Sequence, residues 1–173
     1  RDSTSSTIPV QDYLAALKEG LRGMRIGISR DFEQIAYPDL ETGETHFEPL
    51  QPEIIQAVYA AAEVLARAGA EIVENVPLPN LRHAIPAYFV ISRVEASSNL
   101  HRFDGVKYGY RTAKPFEDLN TLYRHTRGEA FGLQPKLRIL MGTYVSAAAH
   151  ASAYLQRAQK VRAMIRSDFD RIF

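Results

Sequence analysis

Five histidines, at 46, 83, 101, 125 and 150, are the first residues to weigh for metal or proton chemistry. No two stand at the close spacing that puts a pair of imidazoles on one helix face or one turn, so the sequence offers no local metal site. Serines pair at Ser5–Ser6 and Ser97–Ser98. Neither pair has the glycine-dense surroundings from which backbone N–H groups build an oxyanion site. Ser97 and Ser98 read as late positions of a helix, with a packing role. Asp168 and Asp170 are two residues apart in a helical pattern, so they point to different faces and are expected to solvate the helix rather than share a proton. Neither G-x-G-x-x-G nor G-x-x-x-x-G-K occurs, and there are no cysteines for thiolate chemistry, disulfides or sulfur-ligated metals. On these residues the chain does not read as catalytic.

Recognition chemistry is easier to find. Arg138 lies in "PKLRILMGTY", among apolar neighbours where a charge is costly to bury without an anion. Its planar fork of donors fits a carboxylate with two hydrogen bonds. Tyr88, in "PAYFV", puts a hydroxyl on an otherwise apolar helix start. The competing reading is an arginine bonded to a protein carboxylate and a tyrosine filling the core, and the residues alone favour it. The stretch "SSNLHRFDGVKYGYR", 97–111, gathers cations, aromatics and an Asp-Gly turn, as in a surface made to meet a partner. Charge is unevenly spread around it. Residues 31–53 carry seven carboxylates and no Lys or Arg, whereas 101–140 carry eight cations against four carboxylates. That pattern suits solvated helix faces, or a basic surface for RNA phosphate or a small carboxylate.

The elements that must position these residues form an α/β pattern. At 173 residues with 46% hydrophobic side chains, the chain is long enough to bury a core. No apolar run reaches the roughly 18 residues of a membrane helix, and the first residues show no signal-peptide pattern. Lack of cysteine agrees with a reducing compartment. Residues 1–23 read as a linker or surface segment with short helical character in "VQDYLAALKEGLRG". Alternation in "MRIGIS" predicts a strand, the acidic segment 31–52 reads as a loop, and "AEIVENVPL" predicts a second strand. Between them, "QPEIIQAVYAAAEVLARAGA" predicts a helix with Pro52 in its first turn, Gly69 at its end, and a buried stripe of Ile54, Val58, Ala61, Ala62 and Leu65. Strand, helix and strand in this order predict a βαβ-like unit over about 24–77, with the strands parallel. Helical periodicity dominates about 85–173. It predicts helices from Pro86 to about Arg102, over 115–128, over "QPKLRILMGTY", and over 146–173, the last with a stripe of Tyr154, Ala158, Val161, Ile165, Phe169 and Ile172. The parts are therefore 1–23, an α/β part over 24–80 and a helical part over 81–173. Because the sequence opens at Arg1 and runs to Phe173 within an uncapped helical pattern, it is expected to be a piece of a longer protein.

Five motifs together point to a family: "DSTS" at 2–5, "LRGMRIGISRDF" at 21–32, "PAYFVISRVEASSNLHRFDGVKYGYR" at 86–111, "LRILMGTYVSA" at 137–147 and "AQKVRAMIRSDFDRIF" at 158–173. In order and over nearly the whole chain, they closely resemble the A subunits of glutamyl-tRNA(Gln) amidotransferases, within the amidase signature family. The resemblance implies a partial amidase fold and a role in translation. In that family the A subunit hydrolyses glutamine, and the ammonia passes to a B subunit. With ATP and magnesium, the B subunit converts Glu-tRNA(Gln) to Gln-tRNA(Gln), and in many members Asp-tRNA(Asn) to Asn-tRNA(Asn). A small C subunit joins the two. It implies a cytoplasmic protein, with no membrane role and no cofactor held by this chain.

The family's catalytic lysine and two serines lie upstream of the "DSTS" motif, so the resemblance carries no catalytic residue onto this chain. It does carry substrate-binding residues. Arg138 matches the arginine that holds the glutamine carboxylate, and Tyr88 matches the tyrosine of a "PAYY" motif lining the same pocket. An acidic partner for the glutamine amino group is expected beyond Phe173. Two segments depart from the pattern. "GEAFGLQPKLRI" brings Pro135 close before the arginine, and "AAAHASAYL" replaces a tyrosine-rich stretch. Alternatives are a different amidase-signature hydrolase acting on a small amide, and a non-catalytic module binding a protein partner or RNA.

Overall fold

The computed structural model describes residues 5–39 and 41–173, with the side chain of Pro38 also left aside. Its contacts divide the chain into two units, meeting in sequence at Pro77 and Leu78. Most of the "DSTS" motif lies outside the described residues.

The first unit opens with a single helical turn, α1 (Tyr13–Ala16), whose N-terminal N–H groups are capped by the Asp12 carboxylate. The expected strands form: β1 (Arg25–Gly27) pairs in parallel with β4 (Glu71–Val73), with Ile26 opposite Ile72. α2 (Pro52–Arg67) connects them, starting at Pro52 with Glu53 in its first turn. Proline there gives up an N–H that the helix leaves unpaired anyway, and the carboxylate complements the helix dipole.

Two expectations in this unit are corrected. The acidic segment is not a loop. It begins with a 3-10 turn (Arg30–Phe32) and continues as an antiparallel hairpin of β2 (Gln34–Pro38) and β3 (Thr45–Pro49). Its turn is set by the Asp39 carboxylate, which accepts from the Glu41 and Thr42 N–H groups at 2.7 and 2.8 Å. Of the stripe expected along α2, only Ala62 and Leu65 turn inward. Ile54, Val58 and Ala61 are exposed, while Ile55, Tyr59, Ala62 and Leu65 turn inward. Both stripes are apolar at helical spacing, and the Tyr59 hydroxyl finds Glu33 Oε1 at 2.7 Å, which fixes the rotation actually adopted.

The second unit is helical. α3 (Ala84–Leu100) is central and packs against both α5 (Leu133–Ser146) and α6 (Leu155–Ile172). α4 (Leu119–Ala130) is capped by Asp118, which accepts from Thr121 N–H at 2.7 Å. Pro135 falls in the first turn of α5, where its missing donor costs nothing. The final helix begins at Leu155 rather than 146 because 147–154 form turns.

The stripe expected along α6 is also corrected. Ala158 is buried and Val161, Ile165 and Ile172 half-buried, but Tyr154 and Phe169 are exposed. Asp168 takes the inward position instead, at 3% exposure, so it does not solvate the helix as expected. Its carboxylate accepts from Asn80 N–H and from the Asn80 side-chain amide, both at 3.0 Å, and from Arg171 at 3.0 Å. Asp170 stays outside, paired with Arg166 at 3.7 Å.

Candidate functional site at the helix seam

The candidate site is built on the contact between α3 and α5. Gly142 is buried on α5, and a Cβ there would collide with the Arg93 carbonyl and come within 2.8 Å of Ser97 Cβ. A hydrogen at this position is what lets the helices approach so closely. Ser97 is thus a packing residue, its hydroxyl satisfied by the Val94 carbonyl at 2.9 Å. Arg93 and Ser97 are one turn apart and share the α3 face that meets α5, and Arg138 stands one turn before Gly142 on the matching face of α5.

Arg138 is exposed and donates to Gln134 Oε1 at 3.2 Å. Among the described residues it pairs with no carboxylate. Tyr88 is 68% exposed, and no hydrogen bond engages its hydroxyl among the described residues. Among the described residues, then, no carboxylate neutralises Arg138 and Tyr88 is not packed in a core. Tyr88 precedes Phe89 by one residue, about 100° around the helix, and both side chains are exposed. The two side chains sequence singled out thus belong to the two packed helices, without a hydrogen bond between them.

Arg93 escaped notice in the sequence. Its guanidinium carbon lies 3.1 Å above the Phe89 ring, and Nη1 donates to Ser92 Oγ at 3.2 Å. Nε is shut off from solvent and has no acceptor among the described residues. The signal available was a lone cation in the largely apolar window "AIPAYFVISRV".

The Asp-Gly stretch has a defined shape. Asp104 Oδ1 accepts from Val106 and Lys107 N–H at 2.8 and 3.2 Å, and these bonds hold its carboxyl below the usual range. Gly105 adopts φ +76°, where a side chain would also come within 2.7 Å of Thr126 Cγ2. Glu129 on α4 anchors the rest of the loop: it takes Lys114 at 2.9 Å, Tyr110 Oη at 2.9 Å and Thr112 Oγ1 at 3.1 Å. Those donors, Lys114 first and then Tyr110, lower the Glu129 carboxyl to about 2. Tyr110, Lys114, Pro115 and Glu129 border an open hollow of about 740 Å³.

Much of the basic character of 101–140 is consumed internally. Arg127 donates to the Leu100 and Phe103 carbonyls at 3.0 and 3.1 Å, capping the end of α3, and Lys136 donates to the Gly128 carbonyl at 2.7 Å. With Lys114 held by Glu129, the segment is less a free cationic face than its composition suggests. The histidines do not converge. Among the described residues no group of three or more His, Cys, Asp or Glu is placed to hold a metal ion. His46 pairs with Asp39 at 3.5 Å, His83 accepts from Arg82 at 3.2 Å, and His150 stacks on Tyr144 with ring centres 4.1 Å apart.

The amidase family model matches residues 1–173, and this chain belongs to that family. It is 46% identical over 98% of its length to the A subunit of the glutamyl-tRNA(Gln) amidotransferase of Azotobacter vinelandii, and 46% identical over 99% of its length to that of Alkalilimnicola ehrlichii. It covers 32% of each, so it spans about a third of the length of the curated relatives it matches. Among solved structures, it resembles the A subunit of the Thermotoga maritima glutamyl-tRNA(Gln) amidotransferase with a TM-score of 0.53 and 23% identity, over 99% of this chain and 30% of that one. That likeness establishes the fold: the short strands and the helices are a portion of an amidase fold, as the sequence resemblance implied. Among the described residues no helix is long and apolar enough to cross a membrane.

Proposed function

We propose that this chain is the glutamine-binding portion of an amidotransferase A subunit, with Arg138 holding the substrate carboxylate and Tyr88 lining the same pocket. The observation that carries the reading is the state of Arg138. In a chain 46% identical to such relatives over nearly its whole length, it stands exposed on α5, bonded to Gln134 and with no protein carboxylate among the described residues. A guanidinium on a helix scaffold supplies two parallel donors to a carboxylate, and the bonds are charge-assisted. The exposed Tyr88 hydroxyl offers a further donor or acceptor. This chain's part in the chemistry is to bind and orient glutamine, while in the rest of the protein a lysine and one serine move protons and a second serine attacks the amide carbonyl.

In this reading the ammonia released serves the conversion of Glu-tRNA(Gln) to Gln-tRNA(Gln), or of Asp-tRNA(Asn) to Asn-tRNA(Asn). The partners are B and C subunits, with ATP and magnesium used by the former, and the setting is the cytoplasm. The relatives' names support the first tRNA substrate. The test is selectivity in the full-length protein with its partners. Preference for glutamine over simple amides, with hydrolysis stimulated by charged tRNA and ATP, is the expected result. Equal turnover of small amides without stimulation would instead identify a general amidase. Binding of RNA that falls steeply with salt and ignores glutamine would identify an interaction module.

A further inference from the structure

The loop over 102–111 uses its polar backbone to hold its own shape. Asp104 caps the turn, Gly105 N–H donates to the Tyr108 carbonyl at 3.2 Å, and the Phe103 carbonyl accepts from Arg127 of α4 at 3.1 Å. Underneath, Gly105 rests against Thr126 of α4, and Thr112 N–H donates to Thr126 Oγ1 at 3.2 Å in a buried bond. Gly109 lies on the Phe103 ring, where a Cβ would come to 3.0 Å of Cδ1, so the loop folds back on its own start. A loop fixed in this way has lost its conformational freedom before any partner arrives, which removes part of the cost of binding.

Its exposed side chains are not those of a solvated turn. Val106 is 51% and Tyr108 56% exposed, and Phe103 is exposed as well. Interleaved with them stand the exposed cations Arg102, Lys107 and Arg111. Among the described residues none of the three forms an ion pair with a carboxylate. Asp104 gives its Oδ1 to backbone N–H groups, and Arg111 lies over the Phe116 ring at 5.7 Å.

Aromatic residues and arginines within a polar rim are the composition of a protein–protein contact. Burial inside the remainder of the same chain would take three cations out of water, whereas the rim of an interface keeps them hydrated. Nucleic acid fits less well. The exposed carboxylates of Glu117 and Asp118 follow the loop and repel phosphate, and Lys114, Arg127 and Lys136 are already held by this chain's own acceptors.

We propose that the loop over 102–111 docks a second protein subunit, one that presents carboxylates around an apolar patch. Phe103 and Tyr108 are the anchors, and Arg102, Lys107 and Arg111 meet the carboxylates. The proposal rests on the reading of this chain as part of an A subunit that works in an assembly, and it gives that assembly a contact surface.

The experiment measures binding of the full-length protein, as wild type, Tyr108→Ala and Lys107→Glu, to the purified B and C subunits. Hydroxyl-radical footprinting follows Tyr108 in the free full-length chain and in the assembly, and hydrolysis of a simple amide by each free variant reports that the fold survives. The expected result is a Tyr108 that is oxidised in the free wild type and shielded in the assembly. Tyr108→Ala should weaken association by about 10- to 100-fold, and Lys107→Glu should slow association and flatten its salt dependence, both with amide turnover unchanged. The wild-type footprint decides the matter whether or not a variant folds. A Tyr108 already shielded in the free full-length chain would show that the rest of that chain covers the loop. Equal oxidation in both states would show that the loop takes no part in assembly. Loss of salt-sensitive RNA binding in Lys107→Glu, with subunit affinity unchanged, would assign the loop to nucleic acid. Each of these three results overturns the proposal and leaves the glutamine reading to stand on the substrate preference of the same samples. A wild type that neither associates with those subunits nor prefers glutamine overturns both.

Discussion

Asp168 and Asn80 stand 88 residues apart in sequence and are joined by two hydrogen bonds to a single carboxylate oxygen, each of 3.0 Å. The contact ties the end of α6 to the turn that leads into α3, the helix carrying Tyr88 and Arg93. Arg171 occupies the other oxygen at 3.0 Å. Burial pushes the Asp168 carboxyl up, but the bonds from Asn80 and the charge of Arg171 outweigh it, and the net shift is downward.

A depressed carboxyl stabilises the folded state above its unfolded value, near 3.8, and that contribution is lost as pH falls through the folded value. Asp168→Ala removes the acceptor and leaves two Asn80 donors without their partner. The full-length variant is expected to unfold several degrees lower at pH 7, with the gap to wild type closing below pH 3.8. A gap that stays constant with pH would show that the charge of Asp168 is irrelevant to its role.

Glu129 gives a second pH signature, located in the loop. Its carboxyl is held at about 2 against an ordinary 4.5, so its grip on Lys114, Tyr110 and Thr112 is complete above 4.5 and released as pH falls through about 2. Glu129→Gln keeps the shape but drops the charge. Faster limited proteolysis within 104–116 at pH 7, by about threefold or more, is the expected consequence. Unchanged cleavage would mean that the Asp104 turn alone holds the loop.

Gly142→Ala sets two effects against each other. Alanine gains about 1 kcal/mol of helix propensity over glycine. The added methyl, however, strikes the Arg93 carbonyl, a backbone atom that cannot swing aside. Overpacking of this kind costs about 1–3 kcal/mol, so we expect a net loss of stability in denaturant unfolding and a weaker hold on glutamine as the seam opens. A stabilised Gly142→Ala variant would contradict the close approach of α3 and α5.

Local patterns told most of the fold in advance. Pro52 and Glu53 announce the start of α2, and the alternation around Ile26 and in "AEIV" announces the parallel strands. What sequence could not choose was rotation. α2 carries two neighbouring apolar stripes, and the Tyr59–Glu33 hydrogen bond, between residues 26 apart, decides which is inward. Along α6, Asp168 looked like a solvated charge because its partner Asn80 is far away in sequence. The hairpin was hidden because its short strands, "QIAYP" and "THFEP", each end in a proline within an acidic, turn-rich segment, and β3 exposes side chains on both faces. Arg138 and Tyr88 were legible as a cation and a hydroxyl in apolar sequence, and the family resemblance gave them their expected role in substrate binding. Arg93 was not, since its isolation is a property of the packed helices.

The most direct test of the account is the KM for glutamine in full-length protein carrying Arg138→Ala. Charge-assisted hydrogen bonds of about 1.5–3 kcal/mol predict a rise of roughly 10- to 150-fold, with the turnover of an amide lacking a carboxylate retained. A KM equal to that of the wild type would remove Arg138 from the substrate site and, with it, the claim that this chain holds glutamine at the α3–α5 seam.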